Sequence, residues 1–257
     1  MKIAISGKGG VGKTTISAAL IRYLSDQGKK VLAIDADPAM NLPGQIGLKI
    51  EDYVNFKPLS EMKEFIEERT GAKRGEYGGF FRLNPKVDDI PDMYSLKKDQ
   101  IKVLVLGSIN RGGSGCFCPE NVLLKNLLSY VLIERDEWVV VDMDAGLEHL
   151  GRGTAKYVDR LIVVVEPGMQ SIKTAYKIKE LSKDLGFENI FLVANKVTSK
   201  EDILFVRENA KDMPLLGYVS FSNKIREAEK IGLPPYEIDE RLKEEVAKIL
   251  ESLSLSL

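Results

Sequence analysis

The residues best suited to chemistry lie at the start of the chain: Gly7-Lys8-Gly9-Gly10-Val11-Gly12-Lys13-Thr14. They follow a short apolar run, Lys2 to Ser6, and lead directly into Thr14 to Leu24, which reads as a helix. Strand, glycine loop and helix in that order form the setting in which a loop can wrap phosphate groups. Glycines permit tight turns, so several backbone N–H groups can converge on phosphate oxygens. The helix start adds the positive end of its dipole. Lys13 offers a point charge to the outer phosphates, and the Thr14 hydroxyl is suited to ligate Mg²⁺. Gly9, Gly10, Val11, Gly12, Lys13, Thr14 and Thr15 make up the candidate nucleotide-binding set.

Residues from three later strand ends can join them. Lys30 to Asp35 reads as a buried strand ending in Asp35-Ala36-Asp37-Pro38. Strand ends are where open α/β sheets place their chemistry, so Asp37 is positioned to hold a water at a terminal phosphate. Asp35 reads as support for the loop or the Mg²⁺ shell. The competing reading of this acidic pair is a helix cap or turn. Glu137 to Asp142 is another strand ending in an acid, and Asp142 would serve Mg²⁺ through a water or support Thr14. The run Met143 to Thr154, with flexible glycines, suits a segment that senses the terminal phosphate. Asn189 to Ala194 is a strand leading to Asn195, whose amide offers donor and acceptor to a base edge and equally suits a cap or turn.

The second chemical feature is Cys116-Phe117-Cys118, which holds the only two cysteines of the chain. Two thiolates make a weak metal site, since tetrahedral sites usually take four ligands. The single His149 is distant in sequence and carries a structural and a functional reading. A symmetric pair of chains would supply four thiolates on a twofold axis. Soft thiolates suit Zn²⁺, Ni²⁺, Cu⁺ or an iron–sulfur cluster. The alternative is a pair of small buried hydrophobes.

KGGVGKTT resembles the deviant P-loop ATPases, the group of the MinD and ParA proteins, the arsenite-pump ATPases and the nitrogenase iron protein. That resemblance implies ATP as the nucleotide. It also implies that Lys8 reaches across a homodimer to the partner's nucleotide, Lys8 otherwise serving only its own. It further implies that Asp37 positions the attacking water and that Asn195 contacts adenine. GCFCPEN, DMDAGLEHLGRGTA and VVEPGMQSIKTA look like the CooC family, ATPases that help insert nickel into carbon monoxide dehydrogenase. The likeness runs from Met1 to about Gly217; Asp144 and Pro119 are candidate departures from the family pattern. It implies a maturation factor that dimerises on ATP, holds Ni²⁺ or Zn²⁺ at Cys116 and Cys118, and has carbon monoxide dehydrogenase as client. A dimer-bridging [4Fe–4S] electron carrier would use the same four thiolates. A partitioning switch on membrane or DNA is a third reading.

The elements that must position these residues follow from the alternation of short apolar runs with helical stretches. Strands are expected at Ile101–Leu106, Asp159–Val165 and Leu215–Val219 as well. Helices are expected at Ser60–Thr70, Pro119–Leu132, Gln170–Leu185, Asn223–Lys230 and Asp239–Leu250. Together they predict an α/β fold: one doubly wound, mainly parallel sheet with helices on both faces, a P-loop NTPase. The 257 residues read as a single domain with a loop-rich insertion at about 50–100, too poor in apolar residues for its own core. A net charge of −1 argues against general affinity for nucleic acid or membrane, and no apolar run approaches 18 residues. Met1 leads straight into the first strand, so no signal peptide and a cytoplasmic location are expected.

Overall fold

A computed structural model describes residues 1–72, 80–107, 119–144, 146–147, 150–187 and 189–255, with the side chains of residues 152 and 153 outside that description. Its centre is an eight-stranded sheet. In chain order the strands are β1 (Lys2–Gly7), β2 (Val31–Ala36), β3 (Leu96–Lys98), β4 (Ile101–Val105), β5 (Trp138–Met143), β6 (Arg160–Val165), β7 (Ile190–Val197) and β8 (Leu215–Ser220). Across the sheet they lie β3-β4-β2-β5-β1-β6-β7-β8. Every pairing is parallel except that of β3 with β4. The P-loop NTPase architecture read from the sequence is therefore the one found.

Six of the strands are near-continuous apolar runs because both faces of a parallel sheet are covered. Successive side chains point to opposite faces, so each strand feeds two cores. Ile3 and Ile5 of β1 join Ile16, Leu20 and Val246 on one side. Ala4 of β1 joins Leu123, Leu127 and Ile172 on the other. The first core is roofed by the helices Lys13–Asp26 and Glu240–Leu255, the second by Pro119–Glu134 and Met169–Leu185. Among the described residues no helix is long and apolar enough to cross a membrane.

The chain leaves β1 toward β2 on one side, and β6, β7 and β8 later build out the other. Connections thus diverge at the carboxyl end of β1, the position where open α/β sheets place ligands. Between 50 and 98 the described residues carry short elements. They contain the helix Lys63–Thr70 and several single turns, and Leu59 and Ile90 are fully buried against the second core. Their last residues form β3, an antiparallel edge strand. Ser60 N–H donates to the carbonyl of Leu106 at 3.0 Å, which ties the segment to the end of β4.

Candidate active site

The loop between β1 and its helix turns on glycines in the left-handed region: Gly10 has φ +79° and Gly12 φ +92°. Gly12 also lies against Asn195, whose carboxamide a Cβ would overlap. Ile16 N–H closes the first helical turn onto the carbonyl of Gly12 at 3.0 Å. The first turn contains no acidic residue, which leaves its positive end available to an anion. Lys8, Gly9 and Gly10 are exposed, Thr14 is half-buried, and Val11, Lys13 and Thr15 are buried. Lys13 reaches back along the loop, and its Nζ donates to the carbonyl of Lys8 at 3.4 Å.

Sheet register brings the acids to this loop. Asp35 and Asp142 are paired neighbours on β2 and β5, and Asp142 also lies beside Ile5 of β1. Asp142 is 1% exposed; its Oδ1 accepts the Ser17 hydroxyl at 2.8 Å. Its Oδ2 is buried with no hydrogen-bond partner among the described residues. Burial pushes its pKa up to about 6, against the opposing influence of the Ser17 and Thr14 hydroxyls and the Lys13 charge. A buried, unpartnered carboxylate oxygen facing a lysine and a threonine hydroxyl fits an oxygen-ligating cation such as Mg²⁺.

Asp35 is fully buried, and its carboxylate supports the loop that follows β2. Its Oδ1 accepts Asp37 N–H at 3.0 Å and its Oδ2 accepts Leu42 N–H at 3.1 Å. Burial and the neighbouring Asp142 push it up to about 7. Asp37 is half-buried, and its Oδ1 accepts Ala39 N–H at 2.8 Å in a local turn. Asp37 thus takes part in a local turn on the loop that follows β2.

Asn195, near the end of β7, reaches the loop: its Nδ2 donates to the carbonyl of Val11 at 2.7 Å. The segment after β5 is tied to β1 by the Ser6 hydroxyl, which donates to the carbonyl of Gly146 at 2.9 Å. Cys116, Cys118 and His149 lie outside the described residues, as do Ala145 and Glu148. Ser17 and Ser6 belong to no motif that the sequence displays. Ser17 stands one helical turn after Lys13 and Thr14, on the same face, which is the only local signal it offers. A cavity of about 620 Å³ lined by Tyr23, Gln27, Lys29, Trp138 and Lys248 lies at the opposite ends of the strands, away from this loop.

Residues 2–235 match the family described as the CobQ/CobB/MinD/ParA nucleotide binding domain. The chain belongs to that family. It is CooC-like within it: it is 44% identical to the carbon monoxide dehydrogenase accessory protein CooC of Rhodospirillum rubrum, over 98% of this chain and 96% of that protein. An uncharacterized ATP-binding protein of Methanocaldococcus jannaschii is 42% identical over 97% of this chain and 96% of its own length. Among solved structures, the cell division ATPase MinD of Pyrococcus furiosus superposes with a TM-score of 0.67 at 25% identity, covering 100% of this chain and 99% of that one. A plasmid partition protein of Borrelia burgdorferi, bound to AMPPNP, gives 0.72 at 19% identity, covering 99% and 98%. The latter shows the shared fold alone.

The elevated pKa of Asp142 sets a pH dependence. Between about pH 4 and pH 6 the folded chain holds a proton there that the unfolded chain has released. Its contribution therefore turns unfavourable as pH rises through that window. Asp142→Asn keeps an acceptor for Ser17 and removes the charge. In the nucleotide-free protein, its stability relative to wild type should rise by about 1–3 kcal/mol between pH 4 and pH 7. Urea melts at a series of pH values check this; parallel curves would refute it.

Proposed function

We propose that this chain is an ATP-hydrolysing factor accessory to carbon monoxide dehydrogenase, working in the cytoplasm as an ATP-stabilised homodimer that handles nickel. The observation that carries the hydrolytic part is the buried Oδ2 of Asp142, unpartnered among the described residues and beside Lys13 and Thr14. Gly9 to Thr15 bind the phosphates through backbone N–H groups, the helix start and the Lys13 charge. Thr14 and Asp142 would hold Mg²⁺, which supplies charge neutralisation at the phosphates. Asp37 leaves its local turn to orient the attacking water. Lys8, exposed at the loop's rim, contacts the nucleotide of a second copy.

The accessory role rests on the likeness to CooC along almost the whole chain. In this reading Cys116 and Cys118 of two copies together supply four thiolates to Ni²⁺ or Zn²⁺ as cargo. Nucleotide state changes the geometry of the interface, and with it the hold on the metal. Equilibrium dialysis of the ATP-loaded full chain against Ni²⁺ tests this. Wild type is expected to retain about one ion per two chains, the count set by four-coordination. A Cys116→Ala, Cys118→Ala double variant should retain none at that site, and Lys8→Ala should bind ATP yet stay monomeric on sizing. Equal retention by the cysteine variant would remove the metal role. A dimer of Lys8→Ala as stable as wild type would remove the contact between copies.

A further inference from the structure

We infer that Lys196 is a positioning residue that holds the phosphate loop open for its ligand, a role that rests on the ATP-hydrolysing reading above. Asn195 and Lys196 sit in a β-bulge. Between Ala194 and Val197, β7 advances three residues while β8 advances two, from Tyr218 to Ser220. Bulges re-aim side chains, and they recur beside active sites. At this one Lys196 adopts φ +57°, a left-handed conformation that side chains bearing a Cβ seldom take. The bent strand sends two consecutive side chains to two consecutive carbonyls of the loop. Lys196 Nζ donates to the carbonyl of Gly10 at 2.7 Å, and Asn195 Nδ2 donates to that of Val11 at 2.7 Å. A solvated surface lysine would need neither the bulge nor the unusual backbone.

The consequence follows from the planarity of the peptide unit. In a trans peptide the carbonyl and the next N–H point in opposite directions. Holding the Gly10 carbonyl toward β7 turns the Val11 N–H the other way, and holding the Val11 carbonyl does the same for Gly12 N–H. Val11 N–H makes only a 3.4 Å contact to the Lys8 carbonyl, a marginal bond that a phosphate oxygen can displace. Without the lysine the Gly10–Val11 peptide can turn over, since Gly10 carries no Cβ to resist it. A carbonyl would then face the phosphate in place of an N–H. Glu166, at the end of β6, steadies the lysine through an ion pair at 3.3 Å. The loop is thereby braced from the two strands next in order beyond β1, β6 and β7.

Full-chain Lys196→Met and Lys196→Arg, measured beside Lys13→Ala, test the role by titration with ATP, ADP and adenosine. Methionine should weaken ATP and ADP about tenfold or more, the usual effect of losing a charged hydrogen bond. Adenosine binding and the thermal midpoint of the nucleotide-free protein should stay at wild-type values. Arginine, which can reach both partners, should recover most of the loss. ATP affinity unchanged in Lys196→Met, with Lys13→Ala impaired, would overturn the positioning role alone. An equal loss for adenosine and ATP would also overturn it, by making Lys196 a base contact. If Lys13→Ala too binds ATP like wild type, the phosphate site is elsewhere and both readings fall.

Discussion

Lys13→Ala is expected to slow ATP turnover about a hundredfold to a thousandfold, the range seen when one preorganised electrostatic contact to the reacting group is removed. Two effects act in the same direction. The first is the loss of a buried cation at the start of the helix, where its charge adds to the helix dipole. The second reaches Asp142. Burial pushes that carboxyl toward its protonated form, and the Lys13 charge is among the groups that oppose this. Removing the charge shifts Asp142 further toward protonation near neutral pH, which weakens its fitness for a cation. Phosphate release at saturating ATP and Mg²⁺, with a nucleotide titration alongside, measures both. A turnover number unchanged from wild type would take Lys13 out of the site.

Gly7→Ala should unfold the protein more readily, by about 3 kcal/mol or more, without touching any ionisable group. Gly7 is the last residue of β1 and is paired with Val164 of β6. Its φ is +152°, and an added Cβ would overlap the Val164 carbonyl. That carbonyl belongs to a central strand of the sheet, so relief requires the sheet itself to shift. Gly9→Ala is the control: its Cβ would meet nothing within 4 Å. Surface changes of that kind typically stay within about 0.5 kcal/mol. Urea melts of the two variants decide the matter. If Gly7→Ala matches Gly9→Ala, the close approach of β1 to β6 is not a constraint on the fold.

The glycine loop was legible because its signal is local: flexible residues between an apolar run and a helix can be seen in eight letters. The same holds for Asp142 and Asp37, which stand at the ends of apolar runs. Asn195 was visible as a polar residue ending a strand, but its partner Val11 lies 184 positions earlier. Lys196 carries no signal in the sequence, since a lysine after a strand is ordinarily a solvated charge; only the bulge and the Gly10 carbonyl give it a task. β3 has no strand signature in the sequence. It spans three residues, none fully buried, and so shows neither an apolar run nor alternation. The helix Lys200–Asn209 escaped for a related reason: it buries only Val206, leaving little apolar periodicity, although Ser199 and Asp202 form a capping box.

By itself, then, the order of residues determined the strand–loop–helix unit, the number of central strands and the alternation that covers both faces of the sheet. These depend on turns, caps and apolar runs, all expressed within a few neighbours along the chain. Tertiary structure alone decided that β5 lies between β2 and β1, and so that Asp35 and Asp142 stand side by side and that the charge of Asp142 adds to burial in raising the affinity of Asp35 for a proton. It likewise decided that Ser17 faces Asp142 and that the bulge of β7 grips the carbonyls of the phosphate loop. Such contacts join residues more than a hundred positions apart. They arise from which strands adjoin, and sheet order follows from the packing of all the helices at once.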